Sequence, residues 1–123
     1  TRRVRLRAAV ELDVGLHRGG VGEPVALGAL LARFAATADA LEFAGFMGYD
    51  AHAARAPWPS SPDRAAAQAA ARYAALVAAA RAAQPGLFAG RHCCNGGGSP
   101  TVALVPDGSP VDDSTQSANA ALY

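Results

Sequence analysis

The sequence predicts an α/β fold built from parallel βα units. Strand-like and helix-like segments alternate along the 123 residues, and this order is typical of a parallel sheet covered by helices. Apolar residues make up 51% of the chain and charged residues 17%, which indicates a folded rather than a disordered protein. Because no Gly/Ser-rich or Pro-rich linker divides the chain, we expect residues 1–123 to belong to one domain.

The first strand is predicted at residues 5–13, where polar and apolar side chains alternate before the segment becomes more uniformly apolar. Residues 14–22 are rich in glycine and predict a loop. Pro24 suits the first position of a helix of about four turns. The apolar stripe of that helix, at mostly three-and-four spacing, consists of Leu27, Leu30, Leu31, Phe34 and Leu41.

A second βα unit follows. Residues 41–49 form a short apolar run that indicates a buried strand, and residues 50–60, with two prolines and Trp58, predict a loop. Ser61 then supplies a helix cap, Pro62 the first helical position and Asp63 a negative charge in the first turn. The alanine-rich segment that continues to Ala83 favours a long helix.

The bulky side chains of this second helix, Tyr73, Leu76 and Val77, share one face, and the Pro-Gly pair at residues 85–86 ends it. Residues 87–94 predict a third strand that leads into a glycine-rich loop. The chain thus supplies about three or four βα units, whereas a closed barrel needs eight. We therefore expect a fragment of a larger barrel, with an open sheet as the alternative.

Charge and hydropathy argue against nucleic acid and membrane partners. A net charge of +1 provides no global attraction to polyanions or anionic lipid. Arg3, Arg5 and Arg7 form a basic stripe on the first strand, but pairing with acidic groups or a strand end exposed by truncation explains it more simply than nucleic acid does. Every apolar run is interrupted by Arg, Asp or Gly, so no transmembrane segment is predicted.

The cysteines indicate a reducing compartment. Cys93 and Cys94 are the two cysteines of the chain, and neighbours in sequence rarely form a disulfide. Since no signal peptide pattern opens the sequence, we expect a cytoplasmic protein. His92 and Cys94 would share one face of a strand, but two ligands are too few for a metal site. We therefore expect no metal, and core packing for both cysteines.

Polar residues occupy three loops that follow predicted strands, at residues 13–20, 48–52 and 95–101. Ligands of parallel α/β folds bind at this end of the strands. In the third loop, glycines let backbone amides converge on an anion, and Ser99 and Thr101 add hydroxyl donors. A flexible turn is the alternative, because neither a Walker nor a GxGxxG motif is present. Arg18, in the first loop, either binds an oxyanion or pairs with Asp13 or Glu11.

Three segments carry a family resemblance. Residues 10–21 read VELDVGLHRGGV, residues 41–52 read LEFAGFMGYDAH, and residues 95–101 read NGGGSPT. In this order they resemble the fold-type III pyridoxal-phosphate enzymes, which have an alanine-racemase-like barrel, and in particular the D-serine dehydratase and D-threonine aldolase branch. The resemblance extends over nearly the whole chain but covers only the middle portion of such an enzyme.

The resemblance implies that the chain is an incomplete part of a (β/α)8 TIM barrel that binds pyridoxal 5'-phosphate at the carboxyl ends of its strands. Arg18 would lie near the phenolic oxygen of the cofactor, and Tyr49 near its ring, as a partner of the ring nitrogen or a packing group. His52 matches the last residue of the second motif, as a cofactor neighbour or a structural histidine. The phosphate would bind Gly97, Gly98, Ser99 and Thr101. If a terminal segment also helps to hold it, this chain does so less well than the family, because Asn119 stands where the family has glycine.

The chain lacks the lysine that forms a Schiff base with the cofactor in this family, since all 11 residues counted as Lys or Arg are arginine. The resemblance implies a pyridoxal-phosphate-dependent lyase of small D-amino acids, of the D-serine dehydratase type, with this chain supplying cofactor-binding loops but inactive alone. The alternatives are a D-threonine aldolase-like retro-aldol enzyme and a non-catalytic barrel fragment that binds phosphate ligands. A homodimer is a candidate assembly of the full-length protein.

Overall fold

The computed structural model describes residues 3–97, 101 and 104. Strands β1 (Leu6–Leu12), β2 (Leu41–Gly48) and β3 (Cys93–Gly96) form one parallel sheet in the order β1-β2-β3. Helix α1 (Pro24–Ala36) connects β1 to β2, and helix α2 (Pro62–Ala83) connects β2 to β3. The predicted alternation of parallel strands and helices is therefore confirmed in the described residues.

Helix α1 begins at Pro24, as predicted, because proline lacks the N–H that a first helical residue leaves unbonded. Its buried residues are Leu27, Leu31 and Phe34. The inclusion of Leu41 in this stripe was wrong. The helix ends at Ala36, the hydroxyl of the next residue, Thr37, donates to the Arg33 carbonyl at 2.8 Å, and Leu41 is the first residue of β2.

Helix α2 begins as predicted: the Ser61 hydroxyl accepts a hydrogen bond from the Arg64 N–H at 3.2 Å and caps the helix. Seven of its side chains are buried against the sheet and the neighbouring 3-10 helix, namely Ala65, Ala66, Ala69, Tyr73, Leu76, Val77 and Ala80. The Tyr73 hydroxyl donates to the Asn95 carbonyl at 2.9 Å, which fixes the helix to β3. No helix of the described residues is long and apolar enough to cross a membrane.

A bulge in β2 brings two phenylalanines into one core. Ala8 of β1 pairs with Phe43, but the next residue, Ala9, pairs with Gly45, so Ala44 is an extra residue. Regular alternation would point Phe43 and Phe46 to opposite faces. Because of the bulge both are buried on the helix-covered face, with ring centroids 5.1 Å apart in an edge-to-face arrangement.

A third strand is present, as predicted, but its predicted bounds of residues 87–94 were wrong, because β3 spans Cys93–Gly96. A 3-10 helix occupies Pro85–Phe88, and pairing with β2 begins at Cys93, opposite Gly45. The half-buried Leu87 and Phe88 pack against the core instead of joining the sheet. Residues 50–60 likewise contain a 3-10 helix, Ala51–Arg55.

Two smaller expectations concern cysteine and arginine side chains. Cys94 is buried in the core as expected, but Cys93 is exposed. The expectation of core packing for Cys93 was therefore wrong, because neighbours on a strand point to opposite faces of the sheet. Arg5, just before β1, and Arg7, on β1, lie 3.8 Å and 3.0 Å from the carboxylate of Glu42 on β2.

Candidate functional site

The loop that follows β1 has a defined shape. The Val21 N–H donates to the Glu11 carbonyl at 2.9 Å, and the Asp13 N–H donates to the Val21 carbonyl at 3.1 Å, which joins the two ends of the loop. From α2, the guanidinium of Arg72 donates to the carbonyls of Asp13 at 2.8 Å and Gly22 at 3.2 Å. These bonds hold the loop at the carboxyl end of the sheet.

The carboxylate of Asp13 organises the middle of this loop. Its Oδ1 accepts hydrogen bonds from the backbone N–H groups of Gly15 and His17, both at 3.0 Å, and its Oδ2 lies 2.7 Å from His17 Nδ1. The His17 side chain, then the two N–H groups, lower the pKa of Asp13 to about 2, against an opposing effect of partial burial. Asp13 is therefore anionic over the physiological pH range.

We expect the Asp13 carboxylate to stabilise the folded chain by about 1 kcal/mol, after allowance for solvent screening. A lowered folded-state pKa makes this contribution complete above pH 3.8, the ordinary value, and it is lost as the pH falls towards 2. An Asp13→Asn variant should thus be less stable than wild type at pH 6, and the difference should shrink by pH 2. Urea unfolding at both pH values measures it, with Asp39→Asn as control. A difference that is equal at both pH values would contradict the assignment.

Arg18 and Tyr49 join the first and second loops. The guanidinium carbon of Arg18 lies 4.8 Å from the centroid of the Tyr49 ring, within the range of a cation–π contact. Its Nη2 atom is also 3.9 Å from Glu11 Oε1. Glu11, of the two acidic partners considered, is therefore the neighbour of Arg18, whereas Asp13 binds His17. The Arg18 side chain is 62% exposed, so its donors remain accessible.

A cleft of about 400 Å³ lies beside Tyr49 and is lined by Leu16, Tyr49, Ala51, His52, Ala54 and Arg55. The His52 ring packs so closely on Gly15 that a Cβ atom at that position would lie 2.7 Å from Nε2. His52 Nδ1 is buried and has no hydrogen-bond partner in the described part of the chain. A buried ring nitrogen without a partner is uncommon. Because His52 also lines the cleft beside Tyr49, it belongs to the candidate site.

The third loop approaches the second loop through Thr101. Thr101 is completely buried, and its hydroxyl donates to Asp50 Oδ1 at 2.6 Å. This hydroxyl would have to leave Asp50 in order to bind a phosphate. Gly97, just after β3, has a φ of 73°, a left-handed conformation that favours glycine. Gly98, Ser99 and Asn119 lie outside the described residues.

Sequence reasoning missed three contributors to this region. Asp13 and His17 are four residues apart at a strand end, and aspartate often accepts hydrogen bonds from nearby backbone amides, so this pair was detectable. The clamp by Arg72 and the hydrogen bond between Asp50 and Thr101 join residues that are 59 and 51 positions apart. No local pattern indicates such contacts.

Within residues 3–97 and the two described positions beyond them, no three His, Cys, Asp or Glu side chains are grouped closely enough to hold a metal ion. The polar groups described at the carboxyl ends of the strands are the guanidinium of Arg18, the phenol of Tyr49 and the imidazole of His52. The carboxylates of Glu11, Asp13 and Asp50 at this end are engaged by Arg18, His17 and Thr101, respectively. The guanidinium, the phenol and the imidazole suit an organic anion with an aromatic ring.

Comparison with known proteins identifies the family. The profile described as alanine racemase, N-terminal domain, matches residues 1–106. No curated protein matches the chain. The matched range contains all three strands, both helices and the three loops of the candidate site. The chain therefore belongs to the alanine racemase N-terminal domain family, whose domain is a TIM-barrel-like α/β fold of fold-type III pyridoxal-phosphate-dependent enzymes.

Proposed function

We propose that the chain supplies the cofactor-binding loops of a pyridoxal-phosphate-dependent lyase that acts on small D-amino acids and is similar to D-serine dehydratases. The observation that carries the proposal is the contact of Arg18 with Tyr49, 4.8 Å from guanidinium carbon to ring centroid. This contact holds a permanent cation and an aromatic ring together just beyond the ends of adjacent strands. Family membership supports the cofactor class, and the sequences at residues 41–52 and 95–101 support the branch.

The described residues fit a phosphorylated pyridine ring. Arg18 presents a planar, permanently charged donor group that suits a phenolate oxygen. Tyr49 lines the adjacent cleft of about 400 Å³, where a flat aromatic ring would find an apolar wall. Gly97 follows β3 in a left-handed conformation, and backbone amides in such loops can converge on a phosphate.

Pyridoxal phosphate, when bound, supplies an electron sink for negative charge at the α-carbon of an amino acid. This chain would bind the cofactor and orient it. The charge of Arg18 would favour the anionic form of the phenolic oxygen. The hydroxyl of Tyr49, placed beside the ring nitrogen, would offer a neutral hydrogen bond rather than a full proton, which leaves that nitrogen largely unprotonated and tempers the sink.

The covalent anchor of the cofactor lies outside these residues, because the chain contains no lysine. We infer that a longer protein provides it. With D-serine as substrate, that protein would remove the α-proton and expel the β-hydroxyl. With D-threonine, the alternative, it would remove the β-hydroxyl proton and break the bond between the α- and β-carbons.

Pyridoxine 5'-phosphate tests the binding step, because this alcohol keeps the ring, phenol and phosphate but cannot form an imine. We expect it to bind the chain, and Arg18→Gln to weaken its affinity about tenfold, or about 1.4 kcal/mol, through loss of a charge-assisted hydrogen bond. Equilibrium dialysis measures both constants. Arg33→Gln, a change of an exposed arginine in the last turn of α1, is the matched control.

Two results would contradict the binding role. One is that pyridoxine binds as tightly as pyridoxine 5'-phosphate, and the other is that Arg18→Gln and Arg33→Gln have the same affinity for pyridoxine 5'-phosphate. The lyase assignment needs a protein that contains this chain together with the lysine. Release of pyruvate and ammonia from D-serine supports a dehydratase. Release of glycine and acetaldehyde from D-threonine supports the retro-aldol alternative, and neither product, despite tight cofactor binding, supports a non-catalytic phosphate-ligand binder.

A further inference from the structure

We propose that Asp13 and His17 are positioning residues, which hold the guanidinium of Arg18 against Tyr49 and thereby aim it at the anion that it binds. The identity of that anion, the phenolic oxygen of the cofactor, rests on the proposed function. The positioning itself rests on hydrogen bonds within the chain. Neither residue is assigned a contact with the cofactor or the substrate.

The backbone of His17 has an unusual conformation. It has a φ of 55°, a left-handed conformation that side-chain-bearing residues rarely adopt without compensating contacts. Asp13 supplies two of them. One carboxylate oxygen accepts the His17 N–H at 3.0 Å, and the other lies 2.7 Å from His17 Nδ1. Backbone and ring are thus held by the same carboxylate.

The conformation of His17 sets the direction of the chain as it enters Arg18. A return of His17 to a right-handed or extended conformation would turn the Cα–Cβ bond of Arg18 away from its present direction, because consecutive residues share a rigid peptide plane. The rest of the loop cannot easily absorb this change. Its ends are joined by the hydrogen bonds between Val21 and the end of β1, and Arg72 clamps Asp13 and Gly22.

Charged groups lie around the pair formed by Asp13 and His17. Glu11 lies 3.9 Å from Arg18 Nη2, and Arg72 donates to the carbonyl of Asp13. An ionised Asp13 can only accept hydrogen bonds, so His17 Nδ1 carries a proton whether the imidazole is neutral or charged. The contact therefore has one direction: His17 Nδ1 donates and Asp13 Oδ2 accepts.

Asparagine replaces Asp13 only in part, because it carries no negative charge. The carboxylate faces three donors, the N–H groups of Gly15 and His17 and the ring nitrogen of His17. Asparagine has one acceptor oxygen and one donor amide. If its oxygen binds the two backbone N–H groups, its amide faces Nδ1 and forces the other tautomer. If it is reversed, the backbone N–H groups of Gly15 and His17 lose their acceptor.

The test compares Asp13→Asn, His17→Val and His17→Asn in the whole chain. Valine disfavours the left-handed conformation, whereas asparagine adopts it and has a side-chain amide that reaches towards Asp13. His92→Gln, outside the site, is the control. The cofactor-independent measurement is the nuclear Overhauser effect between the Arg18 side chain and the Tyr49 ring. We expect at least a threefold loss in Asp13→Asn and His17→Val, and near-wild-type intensity in His17→Asn and His92→Gln.

The affinity for pyridoxine 5'-phosphate is the second measurement. It should fall about tenfold in Asp13→Asn and His17→Val and recover in His17→Asn. An Arg18–Tyr49 signal that is unchanged in both disruptive variants, or equally lost in His17→Asn and His17→Val, overturns the positioning role. If the signal behaves as expected but the wild-type chain does not bind pyridoxine 5'-phosphate, the positioning role stands and the proposed function fails. If Asp13→Asn does not fold, as judged by the contacts between Met47 and Asn95 across β2 and β3, the two His17 variants decide.

Discussion

Replacing Gly45 with alanine should detach β3 from β2. Gly45 has a φ of 129°, which a residue with a side chain adopts only under strain. An added Cβ atom would overlap the carbonyl oxygen of Cys93 and would lie 2.6 Å from its carbonyl carbon and 2.7 Å from its nitrogen. These are backbone atoms of the paired strand, so no side-chain rotation relieves the overlap. We expect a loss of about 4 kcal/mol or more in the free energy of unfolding.

Hydrogen exchange of the backbone amides at residues 93–96, together with urea unfolding, measures this loss. The matched control is Gly90→Ala, because a Cβ atom at Gly90 meets nothing within 4 Å. If the Gly45 and Gly90 variants exchange and unfold alike, the bulge in β2 is not as tightly packed against β3 as described. Since β3 leads into the third loop of the candidate site, the Gly45 variant should also lose affinity for pyridoxine 5'-phosphate.

Truncating Phe46 to alanine should destabilise the chain by about 3–5 kcal/mol, the range for buried aromatic side chains. Phe46 is 1% exposed. Its ring makes an edge-to-face contact with Phe43, with centroids 5.1 Å apart, and lies 6.0 Å from the ring of Phe88. The truncation leaves a cavity between the sheet and the segment that precedes β3, in addition to the lost burial of apolar surface.

Thermal and urea unfolding measure the effect of Phe46→Ala. Val25→Ala, at a helical position that is 87% exposed, is the control and should stay within about 0.5 kcal/mol of wild type. A Phe46 variant that loses less than about 1 kcal/mol would show that the core collapses around the missing ring. Phe46 lies three residues before Tyr49, so its truncation should also weaken the contact between Arg18 and Tyr49.

Local signals were strong enough to predict the helices. Proline at a first helical position, a serine cap and an apolar stripe act within one or two turns, and α1 and α2 begin where these signals lie. The parallel sheet also followed from the sequence, because short apolar runs alternate with those helices. The same reasoning predicted that Arg18 and Tyr49 lie at one end of the sheet, and in the structure they are in contact.

The third strand shows where local reasoning ends. Residues 87–94 have a strand-like composition, yet Leu87 and Phe88 lie in a 3-10 helix and pack against the core. Pairing begins at Cys93, opposite Gly45, where a Cβ atom would overlap the backbone of Cys93. The start of β3 thus lies against a residue of another strand that has no side chain, and apolar pattern alone does not reveal that contact.

The sequence alone determined the class of the fold, the order of its elements, the start of both helices and the end of the sheet at which Arg18 and Tyr49 lie. These properties depend on interactions between residues close in the chain and on side-chain chemistry. Only the tertiary structure decided that Asp13 binds His17, that Thr101 donates to Asp50 and that β2 carries a bulge. Those features depend on which of several partners the packing of distant segments brings within hydrogen-bond distance.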